Sequence, residues 1–373
     1  MVRETISWLK TRIQEDLFPH LKKCFTDPLT KKQKQLITIL ELVQIESFVK
    51  SHLYQWMGRK LKDRQAIARA FVAKAIYNFP TTKLLIEALK TMSNLRMICG
   101  FNKKSEIPSE STFSRAFAEF VESELGARVQ KALVGEHLSG QLIGHISRDA
   151  TAIEGNEKPA EKDKKAEAKD GTKGESKKRG RPKKGEIRED KKEGKRLSIQ
   201  VNQTPSEALK DIPTVCDVGC KKNAQGYKET WLGYKLHVDT ADNGLPITAL
   251  LTSASLHDSQ VAIPMMKITT ARVTYLYDLM DSAYDAKPIW DVSRALEHVP
   301  IIDKNPRRGE AIPMSPAEAI RYNERTASER TNGRLKEEFG GSTVMVRGAE
   351  KVKLHLMFGV IVLFADQLLK LLT

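Results

Sequence analysis

Apolar residues recur at three- and four-residue spacing through the first third of the chain. In KKQKQLITILELVQIESFV (residues 31–49) and DRQAIARAFVAKAIYNF (63–79) this spacing predicts amphipathic helices. Pro80 gives a stop, and TTKLLIEALKTM gives a new helix start. EIPSESTFSRAFAEFVES reads as a polar turn with Ser and Thr capping candidates, followed by another amphipathic helix. Residues 1–138 therefore read as an all-helical N-terminal domain. A helix after a tight turn permits helix-turn-helix DNA binding, and a plain helical bundle fits the same pattern.

From residue 139 the pattern changes. QLIGHISRDATAIEG reads as a strand, apolar at Leu142, Ile143 and Ile146 and ending at Asp149. TWLGYKLHVDT, GLPITALLTSA, VTYLYDLMD and VPIIDKNP are strand-like. LHDSQVAIPMMKITTA reads as a helix capped at Asp258 or Ser259. A charged helix follows, then a last helix from about Lys351. The succession predicts an α/β fold over residues 139–373, with a mixed β-sheet flanked by helices. No internal repeat is visible.

The longest apolar run, LMFGVIVLFA (356–365), is too short to span a bilayer and reads as a buried core helix. The N-terminus, MVRETISWLKTRIQEDLF, lacks the apolar core of a signal peptide. Cys24, Cys99, Cys216 and Cys220 are too dispersed for a disulfide framework, so a cytoplasmic setting is expected. CDVGC is at best half of a zinc site.

Residues 157–196 interrupt the second region rather than separating two domains. They hold 17 Lys+Arg and 10 Asp+Glu, a net 17 − 10 = +7 of the chain's +15. Their only Val, Ile, Leu or Met is Ile187. Such a segment cannot bury enough apolar surface to offset chain entropy, and disorder is expected. Within it, Arg179-Gly180-Arg181-Pro182 resembles the core of an AT-hook, whose arginines lie along a narrow minor groove. A solvated linker is the other reading. The charge of the whole chain suits a polyanionic partner, nucleic acid before an anionic membrane.

Three acidic positions suggest chemistry. Asp149 and Asp281 each close a strand, and Glu329 lies in the charged helix. Carboxylates at adjacent strand ends, joined by a third from a helix, can converge on a pair of Mg²⁺ ions. Asp278 and Glu154 are rivals for the same roles. In an ideal helix, Tyr322, Arg325, Glu329 and Lys336 fall at about 0°, 300°, 340° and 320°, one stripe about 60° wide. Arg and Lys on that stripe could hold phosphates beside the metals, and Tyr could stack on a base.

Tyr-(2)-Arg-(3)-Glu-(6)-Lys resembles the signature helix of bacterial insertion-sequence transposases of the DDE type. GYKLHVDTADNGLPITALLTSASLHDSQ is similar to that group's second and third strands. DSAYDA is similar to its second catalytic Asp segment, with Ala283 in place of the usual Gly. DAT matches the first Asp, and STFSR looks like the group's N-terminal domain. The resemblance implies an RNase H-like catalytic domain. It implies Asp149, Asp281 and Glu329 as catalytic ligands of two Mg²⁺ or Mn²⁺ ions, with Tyr322, Arg325 and Lys336 as DNA contacts. It also implies a homodimer or higher assembly on double-stranded DNA, with terminal inverted repeats and target DNA as substrates and no membrane partner. The setting it implies is bacterial and nucleoid-associated. His257 and Asp258 match the group's HDS run, where a helix cap with packing is the simpler role.

The interval from the second Asp to the Glu is 329 − 281 = 48 residues, too short for the β-rich insertion of some relatives, so their hairpin mechanism is not implied. Two other readings remain open. One is a domesticated, non-catalytic DNA-binding protein, and the other is an RNase H-like nuclease without strand transfer.

Overall fold

The computed structural model describes residues 28–50, 62–159, 196–222, 225–306 and 313–372. Arg179, Arg181 and nearly all of the charged insert lie outside the described residues, as does Cys24.

Among the described residues, six α-helices precede the first strand: α1 Lys31–Val43, α2 Arg64–Ile76, α3 Thr82–Thr91, α4 Ser93–Cys99, α5 Glu110–Glu122 and α6 Leu125–Leu138. Their starts follow local chemistry. Thr30 accepts from Gln33 N while the Gln33 side chain accepts from Thr30 N, which closes a capping box on α1. Asp63 and Thr81 cap α2 and α3. Ser109 precedes α5, but its hydroxyl bonds Ser111 and Thr112 side chains rather than the helix backbone.

The rest of the chain runs β1 Leu142–Glu154, α7 Arg196–Gln200, α8 Pro205–Lys210, β2 Asp217–Lys222, β3 Lys228–Ala241, β4 Pro246–Ser253, α9 Ala262–Thr270, β5 Thr274–Met280, α10 Lys287–Ala295 and β6 Val299–Ile302. It closes with α11 Pro316–Tyr322, α12 Thr326–Glu338 and α13 Ala349–Leu372. One six-stranded sheet results. β1 lies at its centre, antiparallel to β3 and parallel to β5, and β6 continues the parallel half. β2 and β4 both pair antiparallel to β3. This is the mixed, helix-flanked sheet expected of an RNase H-like fold, preceded by a helical region.

One hydrophobic core joins α1, α2, α5, α6, the middle of the sheet and α13. Phe71 of α2 and Phe358 of α13 meet within it at a tilt of 31°, with ring centroids 5.5 Å apart. α13 is long and apolar enough to cross a membrane by length and composition, but most of its apolar span is buried inside the protein. The run at 356–365 is a core helix, as its sequence suggests.

Three local expectations change. β1 does not end at Asp149 but continues to Glu154, because β3 keeps pairing with it as far as Gly233. β2 carries no clear apolar period and is defined by its pairing with β3, while the short α10, with Ile289 and Val292 on its buried face, is not among the expected elements. The insert begins later than residue 157. Glu157 accepts from Gly348 N at 3.1 Å and from the Tyr234 hydroxyl, so it belongs to the folded body.

Candidate active site

Asp149 and Asp281 are brought level by register. The parallel pairing of β1 with β5 matches Ser147 to Leu279. Two residues further on, each chain reaches its aspartate on the same face of the sheet. Asp281 lies just past β5, where its side chain accepts from Ala283 N at 2.9 Å and caps a short 3₁₀ turn. Asp149 Oδ2 accepts from Asn332 Nδ2 of α12 at 3.1 Å. Burial raises the Asp149 carboxyl to about 6, and the charge of Asp281 pushes the same way, while Arg325 and Asn332 oppose it. Burial also raises Asp281, against the pull of Ala283 N and Arg325.

Arg325 is the hub. Its Nη1 lies 4.0 Å from Asp149 Oδ1, and its Nη2 donates to Glu329 Oε1 at 2.6 Å. Its guanidinium sits 5.8 Å from the Tyr322 ring centroid. Burial works against the Arg325 charge, but Tyr322, Asp149, Glu329 and Asp281 outweigh it and raise its pKa.

The expected single helix is broken here. α11 ends at Tyr322, a 3₁₀ turn covers Asn323–Arg325, and α12 begins at Thr326. In a 3₁₀ turn, residues three apart eclipse, so Arg325 comes over Tyr322 more directly than ideal α-helical angles give. Lys336 stands two turns beyond Glu329. Burial and the nearby Lys221 lower its pKa, and Glu154 partly offsets them. The signature residues therefore divide: Tyr322, Arg325 and Glu329 gather by the two aspartates, and Lys336 faces the far end of β1.

Glu329 is on the site's edge, with its side chain 56% exposed and turned to Arg325. Among the described residues, no three His, Cys, Asp or Glu side chains are drawn together tightly enough to hold a metal ion.

Other residues complete the neighbourhood. Asp258 accepts from Lys235 Nζ at 2.8 Å, and its charge is felt at Asp281. His257, rather than Asp258 or Ser259, caps the turn before α9 by accepting from Ser259 N. The rival Asp278 is fully buried, held by Arg148 Nη1 at 3.5 Å, Ser293 Oγ at 2.7 Å and His298 Nδ1 at 3.3 Å. Arg148 also donates to Asp239 at 2.7 Å. Arg148 and Asp149 point to opposite faces of β1, as strand alternation requires, so a buried ion cluster backs the candidate site. Glu154, the other rival, is exposed at the end of β1.

Asn332 was not singled out by sequence reasoning. Its spacing of three from Glu329 places it on the same helical face, which is a signal only once Glu329 is suspected.

Two family models match the chain. One, described as Transposase domain (DUF772), covers residues 25–119, and the other, described as Transposase DDE domain, covers residues 210–365. The matched stretches are those of a transposase, the second of the DDE kind. The second match holds Asp281 and the Tyr322-to-Lys336 segment of this transposase, while Asp149 lies between the two matched stretches. No curated protein and no solved structure matches the chain.

Proposed function

We propose that this transposase serves an insertion sequence, binding terminal inverted repeats and carrying out metal-dependent DNA cleavage and strand transfer as a dimer or higher assembly. The observation that carries this reading is the level placement of Asp149 and Asp281 with Arg325 beside both and Glu329 one helical turn away.

The donor set fits a hard divalent cation. Two desolvated carboxylates with raised pKa values share one arginine, a charge arrangement that a divalent ion would relieve. Asp149 and Asp281, with Glu329 once released from Arg325, would hold two Mg²⁺ or Mn²⁺ ions, which favour deprotonation of an attacking water or 3′-hydroxyl and stabilise the leaving alkoxide. The protein's own side chains do the rest. Arg325 can exchange its carboxylate partners for a DNA phosphate. Tyr322, half-buried beneath Arg325, orients that guanidinium and offers a ring edge to a sugar or base. Asn332 fixes the Asp149 carboxylate. Lys336, about 10 Å along the helix from Glu329, would take a phosphate further along the strand. Arg179 and Arg181 would add minor-groove contacts.

The test is cleavage of oligonucleotides carrying the element's ends, with Mg²⁺ or Mn²⁺. Asp149→Asn, Asp281→Asn and Glu329→Gln should each abolish 3′-end cleavage and leave end binding largely intact. Full cleavage by any of them overturns the assignment. A protein that binds but never nicks would be a non-catalytic binder, and one that cuts without joining ends to a target plasmid would be a nuclease.

A further inference from the structure

A cavity lies between the N-terminal helices and the start of α13. Its volume is about 490 Å³, within the range of small-molecule sites. Its floor is aromatic: Phe71, Phe113, Phe117 and Phe358 all line it. The Phe71 ring centroid lies 5.0 Å from that of Phe117 and 5.7 Å from that of Phe113, so these rings form one cluster.

Lys74 also lines this cavity, and it is only 6% exposed. Its one described polar partner is His355 Nδ1, at 3.5 Å. His355 Nε2 meets the Gly340 carbonyl at 3.1 Å, so Nε2 donates there and Nδ1 accepts from Lys74. An ammonium has three donors, and two of them have no described acceptor. Burial alone lowers Lys74 to about 8. A lysine this buried is ordinarily paired with a carboxylate.

The rest of the wall is also suited to negative charge. Thr81 and Thr82 open α3, and Glu110 is the first residue of α5. Lys351 is the third residue of α13. Three helix N-termini therefore meet at the cavity, each adding partial positive charge. Arg347 and Lys351 stand exposed at the mouth, against the single carboxylate of Glu110.

We propose that this cavity binds a small amphipathic anion, an aromatic body on the phenylalanine floor and an anionic head on Lys74. The inference is independent of the DNA chemistry, since no residue of the Asp149 site lines the cavity. Its occupant would touch α2, α3, α5, the segment at 345–347 and α13. It would thus tie the helical region to the chain that immediately follows α12.

The experiment is calorimetric titration of the full chain with naphthalene-1-sulfonate and, separately, with the neutral 1-naphthalenemethanol. One sulfonate should bind per chain, and Lys74→Met should weaken it by at least about tenfold while leaving the alcohol unchanged. Lys351→Glu, an exposed change at the mouth, should weaken the sulfonate several-fold and serves if Lys74→Met does not fold. Equal affinity for the two probes overturns the proposal. So does unchanged sulfonate binding by a folded Lys74→Met protein, or by Lys351→Glu.

Discussion

Arg325 stands between Asp149 and the helix that follows it, with Nη1 4.0 Å from Asp149 Oδ1. The same guanidinium holds Glu329 at 2.6 Å. One cation thus serves carboxylates from a central strand and from α12, and its charge also reaches Asp281. Removing it should leave two desolvated aspartates facing each other. Arg325→Ala is expected to move the Asp149 carboxyl further up from about 6, measured by carboxyl ¹³C NMR titration without metal. Cleavage should fall by roughly 10²–10³, as for loss of other positioned charges. Arg325→Lys should recover little, because a point charge cannot address both carboxylates at once. An unmoved Asp149 titration would remove Arg325 from the site's electrostatics.

The raised Asp149 pKa has a consequence for stability. In the unfolded chain an aspartate titrates near 3.9, and in the fold Asp149 titrates at about 6. Between these values the folded state binds the extra proton, so the fold gains stability as pH falls from above 6 to below 4. At pH 8 the ionised Asp149 is therefore a cost of about 2–3 kcal/mol at most. Asp149→Asn should melt several degrees higher than the parent at pH 8 in EDTA, and the gap should close by pH 4. Thermal melts across this range check it. A gap that grows on acidification would mean that the Asp149 carboxylate is stabilised by the fold rather than strained by it.

Behind the site, Arg148, Asp239 and Asp278 are fully buried. Burial pushes Asp278 up, but His298, Arg148 and Ser293 outweigh it and hold its carboxyl below the usual range. Arg148→Met should cost roughly 3–5 kcal/mol, because two carboxylates would lose their buried counter-charge. Adding Asp239→Asn and Asp278→Asn to it should recover part of that loss, since the charges then disappear together. Denaturant midpoints of the single and triple variants decide this. A triple variant less stable than Arg148→Met would show that the aspartates hold the strands by other contacts.

Much of this arrangement was legible in the chain, and the reasons are local. β3, β4, β5 and the long core helix are written in apolar periods, so each could be read alone. Asp149, Asp281 and Glu329 are singled out by the family-like spacing around them, since strand-end position alone leaves Asp278 and Glu154 as rivals. What could not be read is what depends on partners distant in sequence. β2 exists because β3 offers it an edge, and the extension of β1 to Glu154 has the same cause. The break at Asn323–Arg325 leaves no mark in composition, yet it decides that Arg325 lies over Tyr322. Asp278 and Asp281 looked equivalent as residues. Only strand alternation and the partners across the sheet send one into an ion cluster and leave the other beside Asp149.

Lys336 shares the motif with Arg325 but not its surroundings. It is near Lys221 and Glu154, away from both aspartates, and burial together with Lys221 keeps its pKa low. A phosphate there would relieve the repulsion between the two lysines, so binding rather than chemistry should depend on this residue. Lys336→Ala is expected to weaken DNA binding about equally for all sequences and to reduce the slope of log K against log salt by about 1. Cleavage at saturating DNA should stay within a few-fold of the parent, in contrast to Arg325→Ala. Binding isotherms at three salt concentrations, with single-turnover cleavage at saturation, separate the two roles. A Lys336→Ala protein that binds normally but fails to cut would place this lysine in the chemical step, against its position in the fold.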